Sequence, residues 1–278
     1  MRLLVVGSSG MLARDVIRQF KGTCELFECD YPHFDLCDQP LVMREVASIR
    51  PDVIINCAAY TDVDGCENEK ARAFAVNADG VRNLALACKE TGSRLVHVST
   101  DFVFDGNKNT PYDEDDLTNP LSVYGSSKLA GEAHIREVLE RYVIVRTSWL
   151  FGKGGNNFVE TIKRLAGERD ELRIVDDQKG CPTFAADLAQ ALSALISSSA
   201  QGVFHVSNSG PCTWYEFGRK IVELSSLAAR VTPVSSDEFP RPARRPANSV
   251  MNTQKYYDQT GKQLRPWQEA LQDYFRMS

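Results

Sequence analysis

The sequence of 278 residues lacks the features that mark several classes of protein. It has only four histidines, none at metal-ligand spacing, so it signals no protein-built metal site. It has no excess of basic residues, and its net charge of −5 argues against a nucleic-acid partner. No apolar run is long enough for a membrane span or a signal peptide. We therefore expect a cytoplasmic protein that binds neither nucleic acids nor membranes.

The eight cysteines form no C-x-x-C pair, and several fall inside predicted strands or helices, such as Cys57 and Cys88. We therefore expect buried free thiols rather than disulfides. A hydrophobic content of 43% and a charged content of 25% are ordinary for a globular protein. The length allows one large α/β domain, or a domain with an appendage.

The segment 3–13 reads as a buried strand, a glycine turn and the start of a helix. Gly7 allows a sharp turn after four apolar residues, and Gly10 allows a ligand to approach the main chain. The amides of the helix N-terminus would then face a pyrophosphate. Because the third small residue is Ala13, the match to a dinucleotide fingerprint is partial. A tight turn that binds no ligand is the alternative.

Apolar periodicity predicts alternating strands and helices, and hence a doubly wound parallel sheet of the Rossmann type. Besides 3–6, the predicted strands are 26–30, 53–59, 94–99, 142–146, 172–177 and 203–207. The predicted helices are 11–20, 38–49, 69–91, 121–132, 156–166, 187–196, 213–224 and 267–275. Segments 60–68 and 105–120 are predicted to be loops, and 231–250 mostly irregular. Within these elements, we expect Asn77 to be a satisfied buried amide and His97 a packed core residue.

Several candidate ligand-binding residues fall at the predicted carboxyl ends of strands, where such sheets bind ligands. They are Gly7, Asp30, the segment 57–59 and Thr100. Asp30 lies 20 positions after Gly10, where an acidic side chain can bind both hydroxyls of an adenosine ribose. A carboxylate there repels a 2′-phosphate, so NADH should bind at least as well as NADPH. A surface aspartate is the alternative.

Tyr124 and Lys128 are four residues apart, so on a helix they share one face. An ammonium group near the phenol favours the phenolate, which suits a tyrosine to proton transfer. Thr100 could hydrogen-bond the same substrate oxygen. The alternative is an amphipathic helix with a solvated lysine.

Three motifs together resemble the extended short-chain dehydrogenase/reductases, and within them the dTDP-4-dehydrorhamnose reductase family. They are G-x-x-G-x-x-A at 7–13, S-T-D-F-V-F-D-G at 99–106 and Y-G-x-x-K-x-x-G-E at 124–132. The resemblance continues to Arg245-Pro246, so it covers the whole chain. It implies a Rossmann domain at 1–150, to which 181–207 return, and a substrate-binding lobe of 151–180 and 208–278.

The resemblance also implies the residues of the site. The implied catalytic residues are Thr100, Tyr124 and Lys128. The implied cofactor-binding residues are Gly7, Ser9, Gly10, Met11, Leu12, Asp30, Asp35, Leu36, Cys57, Ala58, Ala59, Tyr60, Tyr124 and Lys128. The implied substrate-binding residues are Thr100, Asp101, Val103, Tyr124, Trp149, Asn156 and Arg245. For Trp149, core packing is an equal alternative. The arginine cluster at 241–245 would suit a diphosphate, and the alternative is that it lies in a solvated loop.

The implied reaction is reduction of the C4 carbonyl of a nucleotide-linked 4-keto-6-deoxyhexose by NADH or NADPH. Tyr124 would supply a proton, Lys128 would hold the nicotinamide ribose and lower the pKa of Tyr124, and Thr100 would orient the carbonyl. One alternative is a sugar-nucleotide epimerase or dehydratase, although Asp101 is followed by Phe102 rather than by a second acid, which favours reduction. Another is a regulatory subunit of the methionine adenosyltransferase type.

Some of the resembled reductases dimerise around Mg²⁺ held by glutamates. The corresponding positions here are Asp15 and Ala186. We therefore expect a monomer without that metal site.

Overall fold

The computed structural model describes residues 1–277 and is built around one parallel sheet of six strands. The strands of the described chain are β1 Arg2–Val6, β2 Glu25–Cys29, β3 Val53–Asn56, β4 Arg94–Thr100, β5 Tyr142–Thr147, β6 Leu150–Phe151, β7 Glu171–Val175, β8 Lys179–Gly180, β9 Thr183–Phe184, β10 Gly202–His205, β11 Cys212–Thr213 and β12 Arg230–Val234. The sheet order is β2-β1-β3-β4-β5-β10. Every neighbouring pair is parallel, which confirms the predicted Rossmann-type sheet.

The helices connect these strands and cover the sheet. They are α1 Met11–Phe20, α2 Gln39–Ile49, α3 Val63–Asn68, α4 Lys70–Phe74, α5 Gly80–Thr91, α6 Val123–Val138, α7 Phe158–Glu168, α8 Ala185–Ser197, α9 Trp214–Leu224, α10 Gln254–Thr260 and α11 Trp267–Arg276. A π-helical turn, Ala75–Asp79, joins α4 to α5, and 3₁₀ turns lie at Asp101–Val103 and Ser236–Glu238.

The sheet has a hydrophobic core on each face because β1 points its side chains alternately to the two sides. Leu3 and Val5 pack in the cluster that includes α1 and α8. Leu4 and Val6 pack in the cluster that includes α2 and α5. Full burial of one such side chain stabilises the fold by about 1.5–3 kcal/mol. A third cluster, with Phe217 at its centre, joins α7, α9 and α11 away from the sheet.

Several predicted helix starts are confirmed by their caps. Asp38 accepts a hydrogen bond from the Leu41 amide at 3.0 Å, and α2 ends at Ile49 as predicted. Thr213 and Glu216 form the predicted capping box of α9. Such caps stabilise a helix by about 1 kcal/mol each. They fix where the chain enters α2 and α9.

Three predicted boundaries are wrong. The predicted loop 60–68 contains α3, which starts at its cap Asp62 and has too little apolar periodicity to be recognised. The strand predicted at 53–59 ends at Asn56, whose side-chain oxygen binds the Ala58 amide at 3.0 Å. The helix predicted at 69–91 is not one continuous α-helix, because the π-helical turn Ala75–Asp79 separates α4 from α5. The segment 231–250 is mostly irregular, as predicted, although its first residues belong to β12, which pairs in parallel with β7. Pairing across about 60 residues leaves little local signal.

The eight cysteines are free thiols, as predicted. Four of them are buried and three are half-buried, but Cys37 is exposed, so the prediction of burial is wrong for that residue. Cys37 lies in the short connection before α2, where its amide binds the Asp35 carboxylate and its side chain has no core to enter.

Residues 1–277 include no helix with both the length and the apolar character of a membrane span. In the same part of the chain, no three histidine, cysteine or acidic residues are grouped in a way that could hold a metal ion. Asp15, one of the two positions compared with metal ligands above, instead forms an ion pair with Arg18.

Candidate active site

Two adjoining cavities lie at the carboxyl ends of the sheet strands. The larger, of about 610 Å³, lies between the glycine turn, the start of α6 and the segments that follow β5. The smaller, of about 480 Å³, lies between the glycine turn and the end of β2. Gly10, Cys57 and Ala59 line both. The cavities therefore form one continuous site along the edge where parallel sheets bind ligands.

The glycine turn has the shape of a pyrophosphate cradle. Gly7 has φ +77°, and a Cβ there would lie 2.8 Å from the backbone of Ala58. Gly10 is the N-cap of α1 and provides no side-chain hydrogen bond, so the first amides of the helix are left to bind a ligand. These residues fit a dinucleotide cofactor.

Asp30 is fixed at the wall of the smaller cavity. Its carboxylate accepts hydrogen bonds from the Ser9 amide at 2.7 Å and from the Tyr31 amide at 2.9 Å. The smaller cavity brings together ten of the predicted cofactor-binding residues: Gly7, Ser9, Gly10, Asp30, Asp35, Leu36, Cys57, Ala58, Ala59 and Tyr60. Met11 and Leu12 line the larger cavity.

The start of α6 is held by contacts on three sides. Ser122 accepts a hydrogen bond from the Gly125 amide at 3.1 Å, and Glu67 of α3 accepts one from the Val123 amide at 2.9 Å. A Cβ on Gly125 would lie 2.2 Å from the carbonyl oxygen of Phe102, so only glycine allows this close packing. The helix is thereby set against the end of β4.

Thr100, Tyr124 and Lys128 all line the larger cavity, as the Tyr-x-x-x-Lys interpretation requires. The predicted lowering of the Tyr124 pKa is wrong for this arrangement: burial raises the pKa of Tyr124, and a hydrogen bond with Thr100 only partly opposes this. Lys128 is not among the groups that shift the pKa of Tyr124, and its Nζ is hydrogen-bonded to other groups. The Lys128 Nζ lies 2.7 Å from the carbonyl oxygen of Val98 and 3.2 Å from Nε2 of His97.

Lys128 itself is 2% exposed, and burial lowers its pKa to about 8. The opposing effects of Glu132 and Cys57 are smaller. His97 is fully buried, as predicted, but it also contacts Lys128, which sequence reasoning missed. Asn77 is the predicted satisfied amide, since it bonds to the Tyr60 backbone and to a side chain of α6.

Two buried polar groups in the larger cavity have no hydrogen-bond partner in the described chain, Oδ2 of Asp101 and Oγ1 of Thr147. Asp101 is 1% exposed, and burial raises its pKa to about 6. Its other oxygen accepts a hydrogen bond from the Thr100 hydroxyl at 3.1 Å. Buried polar atoms are normally paired, and because the Asp101 carboxyl also interacts with Ser249, the Thr147 hydroxyl is the better suited of the two to contact a bound molecule. Sequence reasoning found Asp101 and missed Thr147.

Trp149 lines the larger cavity and also packs against the third hydrophobic cluster, so both predicted environments apply to it. It has φ +48°, and its ring stacks on Trp214 with centroids 3.6 Å apart. Both tryptophans line the larger cavity, as does the exposed Asn156. Trp214 was not predicted, because its role depends on stacking against a residue 65 positions away.

Arg245 also lines the larger cavity, but its guanidinium is already paired. It binds both carboxylate oxygens of Asp64 at 3.1 Å. Arg241 lies 3.6 Å from the same carboxylate. The arginine segment is therefore tied to α3, and it is not the solvated loop of the alternative interpretation.

Val103 is the predicted substrate-binding residue that the structure removes from the site. Its side chain is fully buried in a small cluster with Phe104, Tyr112 and Met251. The 3₁₀ turn that follows Thr100 directs Phe102 to the cavity and Val103 to the interior.

The comparison with known proteins agrees with this geometry. The sequence matches the family model described as the RmlD substrate binding domain over residues 1–278. The chain belongs to this family. A dTDP-4-dehydrorhamnose reductase from Sinorhizobium fredii is 42% identical over 97% of this chain and 95% of its own length. A dTDP-4-keto-6-deoxy-D-glucose reductase from Streptomyces niveus is 39% identical over 99% of this chain and 96% of its own length.

A solved member of the RmlD family gives the same result for the fold. The dTDP-4-dehydrorhamnose reductase from Bacillus anthracis, crystallised in complex with NADP, is 40% identical. It superposes with a TM-score of 0.97 over 100% of this chain and 99% of its own. The RmlD-family chain described here is an oxidoreductase with a Rossmann-type fold.

Proposed function

We propose that this protein reduces the C4 carbonyl of a nucleotide-linked 4-keto-6-deoxyhexose, with dTDP-4-dehydro-L-rhamnose as the favoured substrate. The observation that carries the proposal is that Thr100, Tyr124 and Lys128 line one cavity that continues into the glycine cradle. The reductases of similar sequence from Sinorhizobium fredii and Streptomyces niveus support the substrate class.

The proposed mechanism assigns proton donation to Tyr124. When bound, the reduced nicotinamide supplies the hydride for the carbonyl carbon. Because burial raises the pKa of Tyr124, the phenol stays protonated at neutral pH and can donate its proton to the carbonyl oxygen. Thr100 orients that oxygen through its hydroxyl, and Lys128 binds the nicotinamide ribose and stabilises the charge left on Tyr124.

We propose that the same site accepts NADH at least as readily as NADPH. Asp30 is held by two backbone amides, so its carboxylate cannot swing away from a 2′-phosphate. Glu28 and Glu45 line the surface beside it and add negative charge. The NADP complex of the Bacillus anthracis relative shows that a family member can bind the phosphorylated cofactor, so the preference here is one of degree.

The substrate side of the proposal uses residues at the ends of β4 and β5 together with residues from later in the chain. Asp101 and Thr147 contact sugar hydroxyls through their unpartnered oxygens. The Trp149 and Trp214 pair and Asn156 bound the mouth of the cavity. Arg245 would bind the diphosphate by exchanging the Asp64 carboxylate for phosphate oxygens. We propose that 1–150 and 181–207 form the cofactor-binding domain, with Asp101, Thr147 and Trp149 at its substrate side, and that 151–180 and 208–278 form the substrate-binding lobe.

Replacement of Tyr124 by Phe tests the central role. Loss of a positioned proton donor lowers rates by about 10²–10⁴-fold, and we expect that loss in kcat for dTDP-4-dehydro-L-rhamnose with NADH. The affinity for NADH, measured by fluorescence titration, should stay within about twofold of the parent value, which is about 0.4 kcal/mol. Tyr257→Phe, on the exposed face of α10, is the matched control and should keep full activity. Unchanged turnover by the Tyr124 variant would show that the assignment is wrong.

A further inference from the structure

A buried chain of hydrogen bonds leads from the end of β3 to Lys128. The Ala58 amide donates to Oδ1 of Asn56 at 3.0 Å. Nδ2 of Asn56 lies 3.1 Å from Nδ1 of His97, and Nε2 of His97 lies 3.2 Å from Nζ of Lys128. Asn56 and His97 are fully buried. No water is needed to connect the three side chains, so their donors and acceptors can be counted directly.

The count fixes the position of each proton. A backbone amide can only donate, so the oxygen of Asn56 must face Ala58 and its NH₂ group must face His97. Nδ1 of His97 must then be an acceptor. Burial holds the pKa of His97 well below its usual range, so the ring is neutral and carries its proton on Nε2. That N–H group points at Lys128.

An N–H donor facing an ammonium group is unfavourable, whereas an amine can accept its hydrogen bond. As an amine, Lys128 would accept from His97 and still donate to the carbonyl oxygen of Val98 at 2.7 Å. The arrangement around Nζ therefore matches the neutral form of the lysine. His97 thus makes the protonated form of Lys128 less favourable while no negative charge occupies the cleft.

The ionisable groups around Lys128 do not reverse this conclusion. Glu132 raises the pKa of Lys128, but its carboxylate is already bound by Arg146, Arg136 and Ser99. Cys57 has its pKa raised to about 12 by burial, so its thiol is uncharged at neutral pH. The same holds for the phenol of Tyr124. Asp101 lines the same cavity and is ionised above its pKa of about 6, but it does not contribute to the shift in the pKa of Lys128.

We propose that Asn56 and His97 are positioning residues for Lys128: Asn56 fixes His97 with its proton on Nε2, this proton is donated to the Lys128 amine, and Lys128 takes up a proton from solvent when an anionic dinucleotide binds. The last clause rests on the proposed function, because it needs the cradle to hold the pyrophosphate. The first two clauses concern the protein alone. In the uptake step, the amine gains one proton and becomes the ammonium that a negatively charged ligand favours.

The tautomer is measured without cofactor or substrate. Histidine-labelled protein is examined by long-range ¹H–¹⁵N correlation spectra, which distinguish a protonated from an unprotonated ring nitrogen. His97→Gln identifies the signal of His97 by its disappearance. We expect the proton on Nε2 across the neutral range. A proton on Nδ1, or on both nitrogens, overturns the proposal even if the protein proves to be a reductase.

Proton uptake is measured by calorimetric titration with NADH in buffers of different ionisation enthalpy. At pH 8, close to the pKa of Lys128, we expect uptake of about half a proton per site. In His97→Gln, the amide oxygen can accept from an ammonium, so Lys128 is charged before NADH binds and uptake falls below about 0.1 proton.

His205→Gln is the matched control, because His205 is equally buried but contacts Arg146 and the Tyr112 carbonyl rather than Lys128. It should keep the parent uptake. Equal uptake by the parent and His97→Gln contradicts the role of His97. If the protein does not bind NADH, the proposed function is wrong. The tautomer measurement then decides by itself whether Asn56 and His97 position Lys128.

Discussion

Lys128 and Glu132 lie one turn apart on α6 and are both buried, yet their environments differ. Glu132 is bound by Arg146, Arg136 and Ser99, and these contacts outweigh burial and lower its pKa. Lys128 has no carboxylate partner, and burial dominates and lowers its pKa to about 8. Lys128 is therefore suited to proton transfer near neutral pH. Glu132 fixes the helix with a charge that does not titrate near neutral pH.

The largest effect on stability should follow loss of the Glu132 carboxylate. Glu132→Ala leaves Arg146, which is 1% exposed, without its carboxylate. Breaking a buried ion pair in this way costs about 3–5 kcal/mol. Chemical denaturation should show that loss in the free energy of unfolding. A loss under about 1 kcal/mol would mean that the ion pairs of Glu132 do not stabilise the fold, and that its environment does not differ from that of Lys128 in this way.

Lys128→Met should give the opposite outcome, with activity lost and stability kept. Replacing Lys128 relieves the cost of burying a partly protonated amine, and this gain opposes the loss of its hydrogen bonds to His97 and Val98, so at pH 8 the free energy of unfolding should be equal to or slightly above the parent value. The rate of keto-sugar reduction should fall by about 10²-fold or more. Lys21→Met, at an exposed position after α1, is the control for both measurements. A variant that is inactive because it is unfolded would contradict the comparison.

The pH dependence of stability should sharpen the difference between parent and Lys128→Met. Between the folded pKa of about 8 and the ordinary value of 10.5, the unfolded chain binds more protons at Lys128 than the folded chain does. The stability of the parent therefore gains from this group as pH rises through that range, and the variant lacks the gain. We expect the stability advantage of the variant to shrink by about 1–2 kcal/mol between pH 8 and pH 9.5. Denaturation curves of the parent and the variant at both pH values provide the measurement. If the difference between their free energies of unfolding is the same at both, the pKa of Lys128 is not lowered.

The smallest effect should come from an exposed ion pair on another helix. Glu168 and Arg164 lie 3.0 Å apart at the end of α7, and both side chains are more than half exposed. Glu168→Ala should change the free energy of unfolding by no more than about 0.5 kcal/mol, because solvent screens such pairs. The denaturation assay used for Glu132→Ala allows the losses in the free energy of unfolding to be compared directly for the two variants. A cost similar to that of Glu132→Ala would show that burial is not what distinguishes them.

The half of the site built on backbone turns could be predicted from the sequence. Gly7 and Gly10 mark a cradle because the positive φ angle of Gly7 and the absence of a side chain at both positions are local properties. Thr100 follows from the end of an apolar strand, and parallel strands end at the same edge of the sheet. Tyr124 and Lys128 follow from their spacing on one helix.

The half built on contacts between distant segments could not be predicted. Asn56 and His97 meet because β3 and β4 are paired in register, and their sequence positions are 41 residues apart. Trp214 joins the site only by stacking on Trp149. Val103 was misplaced because a 3₁₀ turn, rather than the alternation of a strand, decides which side chains face the cavity. Such contacts depend on tertiary packing, which local periodicity does not encode.

The most direct test of the account is the stoichiometry of cofactor oxidation. The purified protein is mixed with NADH and limiting dTDP-4-dehydro-L-rhamnose, and the NADH oxidised and the 4-hydroxy sugar nucleotide formed are both counted. We predict one equivalent of each per equivalent of keto sugar, with neither produced by Tyr124→Phe on the same timescale. Conversion of the sugar nucleotide without net oxidation of NADH, as an epimerase would give, or no conversion at all, would contradict the account.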